Sequence, residues 1–243
     1  MQIKSQHRVI RALSAMGAAA IDSVFPRTCR ICGQSLTIGE RLMCVGCLTD
    51  LPRTYLHKID FNTLHQRIAG SQRIDIAAGW FFYYSDSPYA RLIREAKYDD
   101  RPATAHTLGK LYGAELAAEG LKGRFDVLLP VALHRDKLIK RGYNQSLEIA
   151  RGIASELDCA VGDNLVAVRA HKTQTRRSGL ERYKNVEGSF DVRHAEELDG
   201  LSVAIVDDII TTGSTVLDCI NAIASKSRPS SVNILSLGVT HMR

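Results

Sequence analysis

The chain has 243 residues, 45% of them apolar, with 32 Lys and Arg against 26 Asp and Glu and a formal net charge of +6. That length suits one medium domain with an appendage, and the apolar share is ordinary for a chain that buries a core. No run approaches the roughly 20 apolar residues of a membrane-spanning helix, and the positive charge favours anionic partners without choosing among nucleic acid, a phosphorylated metabolite and simple solubility.

Lys4, Arg8 and Arg11 precede a short run rich in Ala and Gly, and Ala18-Ala19-Ala20 has the small residues of a leader-cleavage site. The run is weakly apolar, however, and Val9, Leu13, Met16, Ala20 and Val24 recur at spacings that place them on one helical face. The expectation is an amphipathic helix over residues 1–24 rather than a cleaved leader.

Four of the six cysteines fall in two C-x-x-C pairs, Cys29/Cys32 and Cys44/Cys47, with eleven residues between the pairs. Such pairs supply four thiolates to a tetrahedral structural zinc site, one ion per chain. Two redox dithiols or two disulfides share the same spacing, but a thioredoxin-type pair opens a helix in a βαβ unit. Zinc and reduced thiols imply a cytoplasmic compartment. Residues 25–52 form the expected metal module, with a small hairpin over 34–41. Cys159 and Cys219 are expected to be ordinary buried thiols.

Residues 51–74 form an expected connector, and a main domain is expected over 75–243. Its pattern predicts a strand over 76–84, helices over 88–96 and 104–118, a buried strand over 125–129 and a helix over 144–157. A strand over 165–168, a central strand over 203–206, a helix over 214–224 and a strand over 232–239 complete it. Strands alternating with helices predict an α/β fold with a mostly parallel sheet covered by helices on both faces, whose ligands sit at the carboxyl ends of strands.

The most informative stretch is 203–215, Val-Ala-Ile-Val-Asp-Asp-Ile-Ile-Thr-Thr-Gly-Ser-Thr. Its strand is expected to end in Asp207 and Asp208, whose carboxylates can reach sugar hydroxyls or a ligand-borne Mg²⁺. Thr211, Thr212, Gly213, Ser214 and Thr215 then form a hydroxyl-rich turn at a helix N-terminus, a place that favours phosphate. A plain acidic helix cap needs only one acid and one serine. There is no P-loop lysine motif and no dinucleotide G-x-G-x-x-G fingerprint.

Two basic stretches accompany it. After the 125–129 strand come His134, Arg135, Lys137, Lys140 and Arg141, donors suited to a pyrophosphate; a solvated basic loop has the same composition. Residues 172–190, with Arg176 and Arg182, have the polar, basic composition of a flap closing on a charged intermediate, and equally that of a disordered surface loop. Tyr143 and Tyr183 can stack bases beside cations, or simply pack.

The 203–215 run resembles the phosphoribosyl pyrophosphate (PRPP) motif of type I phosphoribosyltransferases. Together with the cysteine knuckle, Arg94-Glu95-Ala96-Lys97-Tyr98, the 140–146 stretch Lys-Arg-Gly-Tyr-Asn-Gln-Ser and the 174–190 pattern, it makes residues 26–240 similar to the ComF family of competence-associated proteins. The resemblance implies a type I phosphoribosyltransferase-like domain behind an N-terminal zinc finger, and a link to natural transformation and the cytoplasmic handling of incoming DNA. It implies PRPP with Mg²⁺ as ligand, Asp207 and Asp208 on the ribose, 211–215 around the 5′-phosphate, and Arg135, Lys137, Lys140, Arg141, Arg176 and Arg182 as pyrophosphate or flap residues. The partners it leaves open are an unnamed acceptor, single-stranded DNA and competence-machinery proteins. A binding module that uses PRPP as regulator without turnover fits the same residues, and a docking role for the 1–24 helix is a further reading.

Overall fold

The computed structural model describes residues 26–68, 74–98, 102–169 and 188–241. The helix expected over 1–24 and most of the expected flap, Arg176, Arg182 and Tyr183 included, lie outside them. A boundary at Leu51/Pro52 divides the chain into two compact units.

In the first unit the chain doubles back around the first C-x-x-C pair. Gly33 adopts a left-handed φ of 78°, its N–H bonds the Cys29 carbonyl, and Thr28 bridges Ser35 antiparallel. The expected 34–41 hairpin is therefore displaced toward the knuckle. Residues 37–40 instead form a turn held by Glu40, whose carboxylate accepts N–H bonds from Thr37 and Val45 at 2.6 and 2.7 Å. The second pair opens α1 (Val45–Thr49), capped by the Cys44 thiol.

The second unit contains a five-stranded parallel sheet. It is built from β1 (Ile74–Phe82), β2 (Val127–Pro130), β3 (Ala160–Val161), β6 (Ser202–Ile210) and β7 (Ser231–Val239), in the order β1-β7-β6-β2-β3. Val203 to Val206 and Ile234, Leu235 and Leu237 are all fully buried, as strands covered on both faces require. The helices are α2 (Thr63–Arg67), α3 (Pro88–Tyr98), α4 (Pro102–Ala118), α5 (Arg135–Arg141), α6 (Gln145–Leu157) and α7 (Ser214–Lys226). Helices α4 and α6 meet backbone to backbone: a Cβ at Gly109 would lie 2.2 Å from the Ile149 carbonyl oxygen, and one at Gly152 would lie 2.2 Å from that of His106. A separate antiparallel pair joins β4 (Leu165–Ala167) to β5 (Phe190–Val192).

Four features depart from the sequence expectations. Residues 52–68 pack on the sheet rather than linking to it: Arg53 bridges Phe81 antiparallel, and Leu56, Leu64 and Ile68 join the core. The stretch after β2 includes a short helix, α5, capped by His134 at one end and by Gly142 with φ 81° at the other. Cys159 is only half-buried, whereas Cys219 lies in the core as expected. The central strand does not stop at the acidic pair. Its ladder to β2 ends at Val206, but its pairing with β7 continues through Asp207, Ile209 and Ile210. Losing one neighbour while keeping the other leaves both aspartates in extended backbone beside an opening in the sheet.

Candidate functional site

That opening lies at the topological switch point. From β2 the chain crosses to β3 on one side and later returns as β6 on the other, so the carboxyl ends of β2 and β6 flank a crevice. A cavity of about 870 Å³ occupies it. Among the described residues, Lys97, Lys137, Lys140 and Arg141 line it against two carboxylates, Asp207 and Asp208. Its charge balance suits a polyanion.

The acidic pair is held from three directions. The Lys97 ammonium, at the C-terminal end of α3, lies 2.9 Å from Asp208 Oδ2. Ser146 Oγ donates to Asp207 Oδ1 at 3.3 Å from the first turn of α6, and the Asp208 N–H donates to the same oxygen at 2.9 Å. Burial, and then the neighbouring Asp208 charge, push the Asp207 carboxyl up to about 7. Burial alone would lower the Lys97 amine, but Asp208 and Asp207 together hold it above its ordinary value.

Lys97 and Ser146 were not assigned as site residues from sequence. Both lie in stretches that carried the family resemblance without a role. The fold supplies the connection: the Tyr143 hydroxyl donates to the Ala96 carbonyl, fixing the end of α3 that carries Lys97. Asn144 caps α6 with its side-chain oxygen and donates Nδ2 to the Val131 carbonyl at 3.0 Å, tying the same stretch to the end of β2. Tyr143 thus has a packing role here.

The hydroxyl-rich turn follows β6. Gly213 stands at the N-cap of α7 with φ 83° and has no side chain to cap it, while Thr212 Oγ1 accepts a long bond of 3.5 Å from the Ser214 N–H. The helix N-terminus and its dipole favour an anion there. Thr211 and Thr215 line the cavity, while the Thr212 and Ser214 hydroxyls pair with each other at 3.1 Å.

Opposite the turn, α5 brings Lys137, Lys140 and Arg141 to the cavity, with Arg141 bonded to Gln145. Burial, then Arg141 and Lys97, depress the Lys137 amine. Arg135 is not brought there; it lines a separate cavity of about 560 Å³ on the β3–β4 side. On α7, Asp218 accepts N–H bonds from Gly188, Ser189 and Phe190 at 2.8, 2.8 and 3.2 Å. One helix therefore begins at the turn and anchors the chain that re-enters at β5. No local pattern marks Asp218, whose partners lie about thirty residues away.

In the first unit all four cysteine Sγ atoms lie within 4.8 Å of one another, and Cys32 and Cys44 are 3.8 Å apart. A tetrahedron with Zn–S bonds of about 2.3 Å has an S···S edge of about 3.8 Å, so this donor set fits a structural zinc. Burial opposes ionisation of Cys29, but backbone N–H groups hold its thiol down at about 6. Burial and the neighbouring thiols push Cys47 far up.

Residues 143–237 match the phosphoribosyl transferase domain family. The DNA utilization protein YhgH of Salmonella typhi is 33% identical over 139 residues, 54% of this chain and 59% of that protein. Its Escherichia coli K12 counterpart is 27% identical over 203 residues, 79% of this chain and 88% of that one. Competence protein F of Haemophilus influenzae is 31% identical over 137 residues, 53% of this chain and 58% of that one. The aligned part thus spans little more than half of the first of these relatives. Among solved structures, the glutamine PRPP amidotransferase of B. subtilis superimposes with a TM-score of 0.40 at 20% identity, over 59% of this chain and 30% of that one.

The parallel sheet, its switch-point crevice and the matching domain family define a phosphoribosyltransferase-domain protein. Within that class the relatives named DNA utilization protein and competence protein support a ComF-family protein, and in this chain a four-cysteine cluster precedes the domain. Among the described residues no helix is long and apolar enough to cross a membrane.

Proposed function

We propose that the switch-point crevice binds PRPP together with Mg²⁺. The 5′-phosphate rests on Thr211, Thr212, Gly213, Ser214 and Thr215, the ribose hydroxyls on Asp207 and Asp208, and the pyrophosphate on Lys137, Lys140 and Arg141. One observation carries this reading: the N-terminus of α7 and the cationic helix α5 face the same cavity from the adjacent ends of β6 and β2, with the acidic pair at the end of β6. The spacing of functions matches a ligand with a phosphate at one end, a diol in the middle and a pyrophosphate at the other. Two carboxylates are a sufficient protein contribution for Mg²⁺, which keeps waters and takes its other ligands from substrate phosphates. When bound, the ion neutralises charge on the pyrophosphate.

The protein's own part in a transfer is electrostatic. Lys137, Lys140 and Arg141 stabilise negative charge on the departing pyrophosphate, and the acidic pair steadies the sugar as positive charge develops at its anomeric carbon. The first unit carries one structural zinc, and the chain works in the cytoplasm, where its thiols stay reduced. Calorimetry of the full chain with Mg²⁺ and PRPP tests the site. Binding to the wild type, lost in Asp207→Asn plus Asp208→Asn, is the expected result; binding that survives the double change rejects the assignment.

The relatives' names, DNA utilization protein and competence protein, favour a second reading of the same site. Here PRPP regulates a module that handles single-stranded DNA and competence-machinery partners, without turnover. The net charge of +6 supports it. Affinity for single-stranded DNA that falls steeply with salt and changes when PRPP is added is the expected outcome. No binding at low salt removes this reading.

A further inference from the structure

The turn after β6 has a back as well as a front. Behind it stands α2, with Ile68, from a stretch outside the matched domain family. A Cβ at Gly213 would lie 3.0 Å from Ile68 Cγ1 and 3.7 Å from Arg67 Cβ. Arg67 Nη1 donates to the Thr211 carbonyl at 3.0 Å, and Nη2 donates to the Thr240 carbonyl. The guanidinium fork therefore joins the segments leaving two neighbouring strands, β6 and β7.

The base of this contact is firm. Asn62 caps α2, accepting N–H bonds from Leu64 and His65, and its Nδ2 donates to the carbonyls of Leu56 and Ala77 at 2.8 Å each. Arg67 rises from a helix fastened to β1. It pairs with no carboxylate among the described residues, and its Nε–H is buried without a partner. A half-buried guanidinium bound only to carbonyl oxygens keeps a net positive charge that solvent screens poorly.

A trans peptide fixes the consequence. The Thr211 carbonyl and the Thr212 N–H belong to one planar unit and point in opposite directions. Holding the carbonyl against Arg67 turns the Thr212 N–H to the other side of the turn. We infer that Arg67 is a positioning residue for the phosphate turn: it draws the Thr211 and Thr240 carbonyls to the rear, presents the turn's amides to the front, and sets a positive charge beneath a sugar-phosphate dianion. The inference rests on the reading of 211–215 as the 5′-phosphate site, and it gives that site a selectivity for phosphorylated over unphosphorylated sugars that the hydroxyls alone do not supply.

The test is calorimetry of the full chain with two probes, ribose 5-phosphate for the turn and inorganic pyrophosphate with Mg²⁺ for the α5 side. Arg67→Gln is expected to weaken ribose 5-phosphate binding about tenfold or more, the scale of losing a charge-assisted contact. Arg67→Lys, with the charge but not the fork, should fall between wild type and Arg67→Gln. Pyrophosphate affinity should stay unchanged in both. Wild-type affinity for ribose 5-phosphate in a folded Arg67→Gln protein overturns the inference, and so does an equal loss for both probes, the sign of a merely structural role. If Arg67→Gln does not fold, Arg67→Lys decides: at least a threefold loss confined to ribose 5-phosphate supports the inference, and anything else overturns it. A wild-type protein that binds neither ribose 5-phosphate nor PRPP overturns the underlying reading of the turn, a different result from wild-type binding that the variants retain.

Discussion

The Lys97 ammonium lies 2.9 Å from the Asp208 carboxylate, across 111 residues of sequence and between two elements that no local pattern connects. Lys97 keeps 22% of its side chain exposed and Asp208 only 7%, so the acid depends on the base more than the reverse. Removing one member of a buried ion pair strands the other. Lys97→Met is expected to cost about 3 kcal/mol in urea unfolding. Adding Asp208→Asn should recover most of that loss. An unchanged midpoint in the single variant would show that solvent already carries the Asp208 charge.

Asp207 predicts a pH dependence of opposite sign to the usual salt-bridged carboxylate. Its folded value of about 7 lies above the ordinary 3.8, so between those values the folded state binds the extra proton. The stability this group contributes is complete below about pH 4 and is lost as pH rises through about 7. Asp207→Asn removes the titration. Urea unfolding at pH 5 and pH 8 should show the variant gaining on wild type at the higher pH, and an equal difference at both would contradict the burial and the Asp208 repulsion invoked here.

Gly213 carries both a left-handed φ of 83° and a close neighbour in Ile68. Gly213→Ala adds a backbone penalty of about 1 kcal/mol and the cost of displacing the isoleucine, together about 2 kcal/mol. Thermal unfolding is expected to fall by about 5 °C. In an Ile68→Ala background, itself destabilised by the lost core packing, the further cost of Gly213→Ala should be smaller than in wild type.

Asp218 accepts three backbone N–H bonds at the start of β5. Asp218→Ala removes the acceptor these bonds share, which costs about 1 kcal/mol or more at the buried Ser189 N–H. Amide exchange at Gly188, Ser189 and Phe190 should accelerate far more than exchange in β6 or β7. Uniform acceleration across the sheet would mean that Asp218 supports the whole domain rather than this anchor.

The cysteine cluster predicts about one zinc per chain by metal analysis, released by Cys29→Ser plus Cys44→Ser. Metal loss should expose the 26–51 unit to protease while the circular dichroism of the second unit persists, because the two form separate compact units. Retained zinc in the double variant would reject the site.

Much of this was legible from neighbouring residues. The paired C-x-x-C spacing anticipates sulfurs that converge within 4.8 Å, and apolar runs anticipate β2, β6 and β7 because strands covered on both faces admit little else. The two-residue β3 and three-residue β5 are too short to have a period and exist through their partners. The segment from 52 to 68 reads as a connector because its anchors, Arg53 to Glu115 and Asn62 to Ala77, lie 62 and 15 residues apart, beyond any local pattern. The basic stretch after β2 reads as a loop because His134 and Gly142 cap a helix of only two turns, in which charge outweighs periodicity.

By itself the sequence determined the chemical groups and their local order: four thiols, an acidic pair, a hydroxyl-rich turn and a cluster of cations, each a matter of residues within a few positions of one another. Only the tertiary structure decided which of them share a cavity. It brought Lys97 to Asp208, Ser146 to Asp207 and Arg67 to the back of the hydroxyl-rich turn, and it placed Arg135 along a different cavity. The physical reason is that Coulomb and hydrogen-bond interactions act over a few ångströms of space, and a parallel sheet makes residues neighbours that lie a hundred or more positions apart along the chain.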